Sequence, residues 1–170
     1  MKNFFLSIIF PIVVTLLFIA TSCLDKKCKN MPEQIIGTGE IINALIWYKI
    51  LDTTTINLIN SNSNKDFIIT SDSLNIFDLR VSFDNGENFQ SIDFSQYSVL
   101  GKYAIGKCNV VFNRNVSKNI EKQKYIYKIT VNQCGLCGVG NVSMNWVLIP
   151  KIEDDFTVEF EVAYKLWNGK

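Results

Sequence analysis

The chain of 170 residues has no histidine, only three prolines and nine glycines, and almost no surplus of either charge, with 17 Lys+Arg against 16 Asp+Glu. Without imidazole there is no Ser-His-Asp or Cys-His nucleophile pair, no HExxH metal site, and no side chain whose ordinary pKa lies near neutrality. The even charge removes the electrostatic route to nucleic acid, since counterion release needs a cluster of Lys and Arg. No internal repeat is visible, and the only biased patch is the Ser/Asn run Asn60 to Asn64. What remains is a chain that is 48% apolar and 12% aromatic, enough to bury the core of one domain.

Long apolar runs are also scarce, and the exception lies at the start. Met1-Lys2-Asn3 is a short positive opening, and Phe4 to Ala20 is apolar apart from Ser7, Pro11 and Thr15, the layout of a secretory signal. Small residues, Ala20-Thr21-Ser22, precede Cys23, and a polar stretch begins at Asp25-Lys26-Lys27. These residues resemble the lipobox of bacterial lipoproteins, although Ala20 stands where that family usually has a large aliphatic residue. The resemblance implies cleavage before Cys23 and a lipid on its thiol. The competing readings are an ordinary cleaved signal and an uncleaved span, and the run barely reaches the ~20 apolar residues a span requires. The expected organisation is a signal peptide over 1–22, a lipid-anchored flexible tether over 23–34 and one β-rich domain over 35–170. Removing 1–22 takes away Lys2 and no other charge, so the mature chain is formally neutral.

Beyond the tether, Ile35 to Trp47 and Thr53 to Ile59 carry β-formers and predict two strands joined near Asp52, with a short helix over Ile41 to Ile50 as the alternative for the first. Phe67 to Thr70 predicts a strand. Ser71 or Asp72 then predicts the cap of a short helix through about Leu79, and Asp84-Asn85-Gly86-Glu87 a turn. Tyr97 to Leu100, Ala104 to Phe112, Tyr125 to Val131, Val142 to Pro150 and Phe156 to Tyr164 predict strands, the last through its alternation of Thr157, Glu159 and Glu161 with Val158, Phe160 and Val162. The expected fold is mainly β, an antiparallel sandwich or curled sheet with one short helix, with α+β as the alternative. Trp47, Trp146 and Trp167 are read as core or rim packing.

With Cys23 taken by lipid, Cys28, Cys108, Cys134 and Cys137 remain, an even number that reads as two disulfides in an exported chain. A hairpin tip placed near Val116 to Lys118 sets Cys108 opposite Tyr127, too far from Cys134 for a bridge. The expected pairs are therefore Cys134 with Cys137 and Cys28 with Cys108. Cys134-Gly135-Leu136-Cys137 also admits a redox reading, but Gly138-Val139-Gly140 does not open the helix such motifs need, and a zinc cage would lack a second CxxC.

Glu153-Asp154-Asp155 and the Asp84 turn offer oxygen ligands without the spacing that wraps Ca²⁺, and no pair of acids is singled out for glycoside chemistry. Asp52-Thr53-Thr54 and Asp72-Ser73-Leu74 resemble an O-glycosylation acceptor signal of exported bacterial proteins. No catalytic residue, metal ligand or cofactor is expected.

Three landmarks, Phe67-Ile68-Ile69-Thr70-Ser71-Asp72-Ser73-Leu74, Ser91-Ile92-Asp93-Phe94-Ser95-Gln96-Tyr97-Ser98-Val99-Leu100 and Trp146-Val147-Leu148-Ile149-Pro150-Lys151, occur in this order. Together, over Phe67 to Val162, they resemble the small C-terminal domain of accessory lipoproteins of bacterial surface protease complexes. Cys134 to Cys137 is foreign to that pattern. The resemblance implies a non-catalytic role in the cell envelope, anchored through Cys23 to membrane lipid, on the outer membrane at its periplasmic face or the cell surface, supporting or restraining a partner protein such as a protease. The alternatives are a thiol-disulfide oxidoreductase working through Cys134 and Cys137, and a carbohydrate-binding lipoprotein using Trp146 or Trp167.

Overall fold

The computed structural model describes residues 28, 31, 33–34, 37–51, 66–72, 77–135 and 140–167. Ten strands account for most of them: β1 (Thr38–Gly39), β2 (Leu45–Ile50), β3 (Asp66–Ile69), β4 (Phe77–Ser82), β5 (Gln90–Ser91), β6 (Tyr97–Lys107), β7 (Asn109–Asn119), β8 (Lys124–Cys134), β9 (Gly140–Pro150) and β10 (Thr157–Leu166). They form three sheets, ordered β1-β7-β8-β10, β2-β4-β5 and β3-β6-β9, with no closure into a barrel. The fold is mainly β, as the sequence predicted, although not antiparallel throughout: β10 runs parallel to β8 and β1 parallel to β7.

The β3-β6-β9 sheet is the middle layer. Leu100 and Ala104 of β6, with Val147 and Ile149 of β9, pack against Phe112, Val116, Tyr125, Tyr127, Ile129 and Val131 of the β7-β8 hairpin. Val99, Trp146 and Leu148, one residue out of phase with the first set, pack against Phe77 and Val81 of β4. Side chains alternate faces along a strand, so a strand buried on both sides must read as a continuous apolar run, as Trp146-Val147-Leu148-Ile149 does. The outer β1-β7-β8-β10 sheet has one wet face, and most of β8 keeps the alternating pattern.

Trp146 lies across Gly101, where a Cβ would come within 2.1 Å of its ring, so the middle layer needs glycine at that point to seat the indole. Around it stand Tyr48, Phe67 and Phe77, with ring centroids 5.2 to 5.8 Å from that of Trp146.

Four expectations need correction. No α-helix occurs among the described residues, and Phe77 to Leu79, expected to end the short helix, begin β4. The β-formers Val81 and Phe77 must reach Trp146 across a sheet, and that tertiary packing overrides the local cap signal at Asp72. Thr53 to Ile59 and residues 73–76 lie outside the described residues. The segment read as one strand from Ile35 to Trp47 is divided into Thr38–Gly39 and Leu45–Ile50, in two different sheets, and Leu45–Ile50 settles the helix alternative as strand.

The third correction is one of register. The β7-β8 turn lies at 120–123, not near Val116 to Lys118, and Asn109 faces Cys134. Asn113, Asn115, Ser117 and Asn119 look like a loop in composition, yet they alternate with Phe112 and Val116, which are buried. They are the outer face of a long strand. The fourth concerns the disulfides: Cys28 is bonded to Cys134, with Cα atoms 5.6 Å apart. The expected pairs Cys134–Cys137 and Cys28–Cys108 therefore do not form, because the true register brings the end of β8 beside Cys108 and leaves Cys134 within reach of Cys28.

Candidate interaction surface

The two sandwiched sheets β1-β7-β8-β10 and β3-β6-β9 have two long sides, and the chain treats them differently. On one side the segment after β1 stitches the layers together: Glu40 N–H donates to the Val116 carbonyl at 2.8 Å, and Ile42 N–H to the Leu148 carbonyl at 2.9 Å. Gly39 makes this possible. Its φ of +76° is a conformation other residues avoid, and a Cβ there would stand 2.0 Å from the Val116 oxygen. Arg114 donates through Nη1 to the Trp146 carbonyl at 3.2 Å, and the buried Tyr127 hydroxyl donates to the Asn145 carbonyl at 3.1 Å. Burial lowers the guanidinium pKa and raises the phenol pKa from their ordinary values, while each group's nearness opposes the other's shift.

The opposite side is open among the described residues. Among the described residues, β10 is paired only with β8, and β3 only with β6. Because β3 covers only Val99 to Lys102 of β6, the remainder of β6, Tyr103 to Lys107, has a strand on one side alone among the described residues. A groove of about 480 Å³ follows this edge, between Lys102 to Ile105 and the inner face of β10 at Phe160, Val162 and Tyr164. A second of about 480 Å³ continues the same side past β3, between Ile68, Thr70 and Lys151 and the start of β10 at Val158. Lys102 divides them, ion-paired to Asp66 and with its Nζ 5.9 Å from the centre of the Phe160 ring.

An open strand edge beside an apolar floor is the geometry that accepts an extended segment, main chain to main chain, with side chains entering alternate pockets. No family model, no curated protein and no solved structure matches the chain. The surface is therefore read from its own residues.

The three landmark segments meet at one end of the open side. Lys151 donates through Nζ to the carbonyls of Thr70 at 2.6 Å and Phe94 at 2.9 Å, and its backbone N–H to that of Gln96 at 2.8 Å. Asp93 accepts bonds from the Ser95 N–H at 3.0 Å, the Ser95 hydroxyl at 2.6 Å and the Gln96 side chain at 2.8 Å, which hold its carboxyl below the usual range. The Ile-Asp-Phe and Pro-Lys segments are thus a turn and the cation that locks it, placing β6 and β9 in register.

Of the cysteines, Cys134 is 2% exposed and joined to Cys28, and Cys108 is likewise disulfide-bonded. Cys23 and Cys137 lie outside the described residues. A redox pair of Cys134 with Cys137 would have to begin with a sulfur that Cys28 already holds. Trp146 is buried, so the face assigned to carbohydrate in that alternative is covered by its own core. Trp47 is partly exposed, and Trp167, at the end of β10, donates its backbone N–H to the Gln133 carbonyl. Thr53, Thr54 and Ser73, the acceptor positions of the two glycosylation signals, lie outside the described residues.

The Asp84 turn is not arranged for a cation. Ser82 Oγ donates to Asp84 Oδ1 at 2.5 Å, Asn88 N–H to the same oxygen at 3.0 Å, and Asn88 Nδ2 to Oδ2 at 2.6 Å. These donors bring the carboxyl pKa down from 3.8 to about 2, with the Ser82 bond the largest cause. Among the described residues no three His, Cys, Asp or Glu converge as a metal set.

Sequence reasoning missed the open side. Tyr103, Ile105, Phe160, Val162 and Tyr164 read individually as strand residues, and the one available signal was that the apolar phase of β10 runs on to Tyr164 and Leu166, which stay exposed.

Proposed function

We propose that the chain is a lipid-anchored, non-catalytic interaction module of the bacterial cell envelope, tethered through Cys23 and supporting or restraining a partner protein such as a protease. The observation that carries this reading is the open side of the sandwich. A polypeptide edge at Tyr103 to Lys107 and an apolar floor from β10 lie together on a domain whose other side is stitched shut. The occupant that suits this site is an extended segment of a partner, adding as a strand beside β6. The leader ending at Cys23 supports the envelope as the place, and the absence of histidine from the whole chain removes the commonest acid-base group from any hydrolytic alternative.

Site-specific photocrosslinking in intact cells tests the proposal. A photoreactive residue at Tyr103 or Tyr164 is expected to capture a defined envelope protein, and one at the exposed Ile120, in the β7-β8 turn, is not. Equal capture from all three positions, or none from the two tyrosines, would defeat the proposal.

A further inference from the structure

The strands of the sandwich end unequally. At the end marked by the Cys28–Cys134 disulfide lie the last residues of β6, β8 and β10 and the first of β7 and β9, since Lys107 faces Gly140, Asn109 faces Cys134 and Leu166 faces Gln133. Four large apolar side chains there are left in solvent: Leu166 at 78% exposure, Val142 at 61%, Tyr164 at 57% and Ile105 at 39%. Lys107 and Lys165 stand among them. In the sequence, no acid occurs between Asp93 and Glu121, between Glu121 and Glu153, or after Glu161. The acids instead collect at the far end, with Glu121 in the β7-β8 turn and Glu153, Asp154 and Asp155 before β10.

The disulfide also sets a length. Cys28 lies five residues from Cys23, a reach of at most about 18 Å, whereas a tether running freely to Gln34 would extend about twice as far. The cross-link therefore returns the chain to the domain within five residues of the proposed anchor, at the end where the strands carry Lys107 and Lys165 and exposed apolar side chains, with Lys26, Lys27 and Lys29 outnumbering Asp25 and Glu33 in the flanking sequence.

We propose that the Cys28–Cys134 disulfide orients the domain on its membrane, holding the strand ends that carry Val142 and Leu166, with Lys107 and Lys165, against an anionic lipid surface, while Ile105 and Tyr164 stay at the mouth of the groove just above it. The proposal rests on the lipid anchor at Cys23. Apolar side chains of this size enter the interfacial region while lysines pair with anionic headgroups, and a short tether supplies the effective concentration that such a small patch needs. In this pose the turn at 120–123 and the acidic turn at 153–155 point away from the bilayer, and the open side runs from the membrane outward.

The test is lysine footprinting of the full lipidated protein, reconstituted in vesicles of phosphatidylethanolamine and phosphatidylglycerol and compared with the same protein in neutral detergent. Acetylation of Lys107 and Lys165 is expected to slow several-fold on vesicles, while Lys122 in the far turn keeps its rate. The same digest reports the mass of the N-terminal peptide. If Cys23 carries acyl mass and Lys107, Lys165 and Lys122 react alike, the orientation is wrong and the anchor stands. If Cys23 carries no acyl mass, both are wrong. Substituting Cys28→Ser with Cys134→Ser is expected to abolish the protection. Because that variant can lose its fold, a Gly/Ser insertion after Leu24 that at least doubles the five-residue segment provides an independent arm. Protection that survives the insertion unchanged would overturn the proposal.

Discussion

The two long sides of the sandwich are made from the same materials, strand edges and aromatic side chains, yet among the described residues one is sealed and the other is not. On the sealed side each layer supplies a carbonyl and the segment after Gly39 supplies the donors, with Arg114 and Tyr127 adding two more bonds to β9. On the open side the layers part between β10 and β6, and the principal link across the gap is Lys102 over Phe160. A domain that needed both sides for stability would close both. The contrast therefore separates a side that holds the fold together from a side available to a partner, and substitutions in the two should affect different measurements.

The largest effect is expected at Gly39. Valine there must adopt a left-handed backbone, costing about 1 to 2 kcal/mol, and displace the Val116 carbonyl, which adds about 1 to 3 kcal/mol by the usual cost of overpacking. Gly39→Val should thus lower the unfolding free energy in urea by about 2 to 5 kcal/mol with the open side's crosslinks intact in whatever fraction remains folded. A loss below about 0.5 kcal/mol, the range of an ordinary surface change, would mean that the sealed side is not what joins the layers.

Next comes Lys151, which closes the far end of the open side by binding the Thr70 and Phe94 carbonyls. Lys151→Met keeps the aliphatic stem and removes both bonds, each worth about 1.5 to 3 kcal/mol when a charge is involved. Lys151 is partly solvated, so a total near 2 kcal/mol is expected, read as a drop in the urea midpoint at constant slope. An unchanged midpoint would remove Lys151 as the lock on the Asp93 turn.

Much of this architecture was legible in the sequence. The β class followed from the spacing of Val, Ile and aromatic residues, and β8 to β10 lie close to where those residues predicted, whereas the expected strand Ala104 to Phe112 is split at Cys108 between β6 and β7. Two kinds of error arose from long-range structure. The helix proposed near Asp72 failed because Phe77 and Val81 are claimed by Trp146, nearly seventy positions away in a different sheet, and no local signal reports that. The disulfides failed because a hairpin tip misplaced by about four residues shifts every opposing pair, and polar residues on the wet face of β7 disguised its length. The open side was illegible for a related reason: whether an edge is covered depends on how far its neighbour runs in a distant part of the chain, and among the described residues β3 pairs only with Val99 to Lys102 of β6, which strand composition does not announce.

A smaller effect, belonging to neither side, serves as the control for acid. The Asp84 carboxyl has a folded-state pKa of about 2 against 3.8, because Ser82 and Asn88 donate to its ionised form. A depressed pKa means stability that is present above the unfolded value and is lost as pH falls through the folded one. Asp84→Asn should therefore be less stable than the parent at neutral pH, with the gap narrowing as pH falls from 3.8 toward about 2. A gap that stays constant through that window would show that Asp84 acts through something other than its charge.

The smallest effect on stability, and the sharpest test of the contrast, belongs to Tyr164. Its side chain is exposed on the inner face of β10 at the rim of the open groove. Tyr164→Ser removes apolar area that the folded domain leaves in water, so the unfolding free energy should move by no more than about 0.5 kcal/mol. If the open side receives a partner strand, however, an exposed aromatic at its rim is the type of residue that anchors such contacts, and its truncation should cost about 1 to 2 kcal/mol of binding, a loss of roughly five- to thirty-fold in affinity. The measurement is a pair on one protein, urea midpoint and yield of crosslink from position 103. A fall in yield at constant midpoint assigns Tyr164 to the partner and leaves the fold to the other side. A fall in the midpoint with the yield unchanged would reverse the assignment, because the open side would then be stabilising the domain and the partner would have to be sought elsewhere.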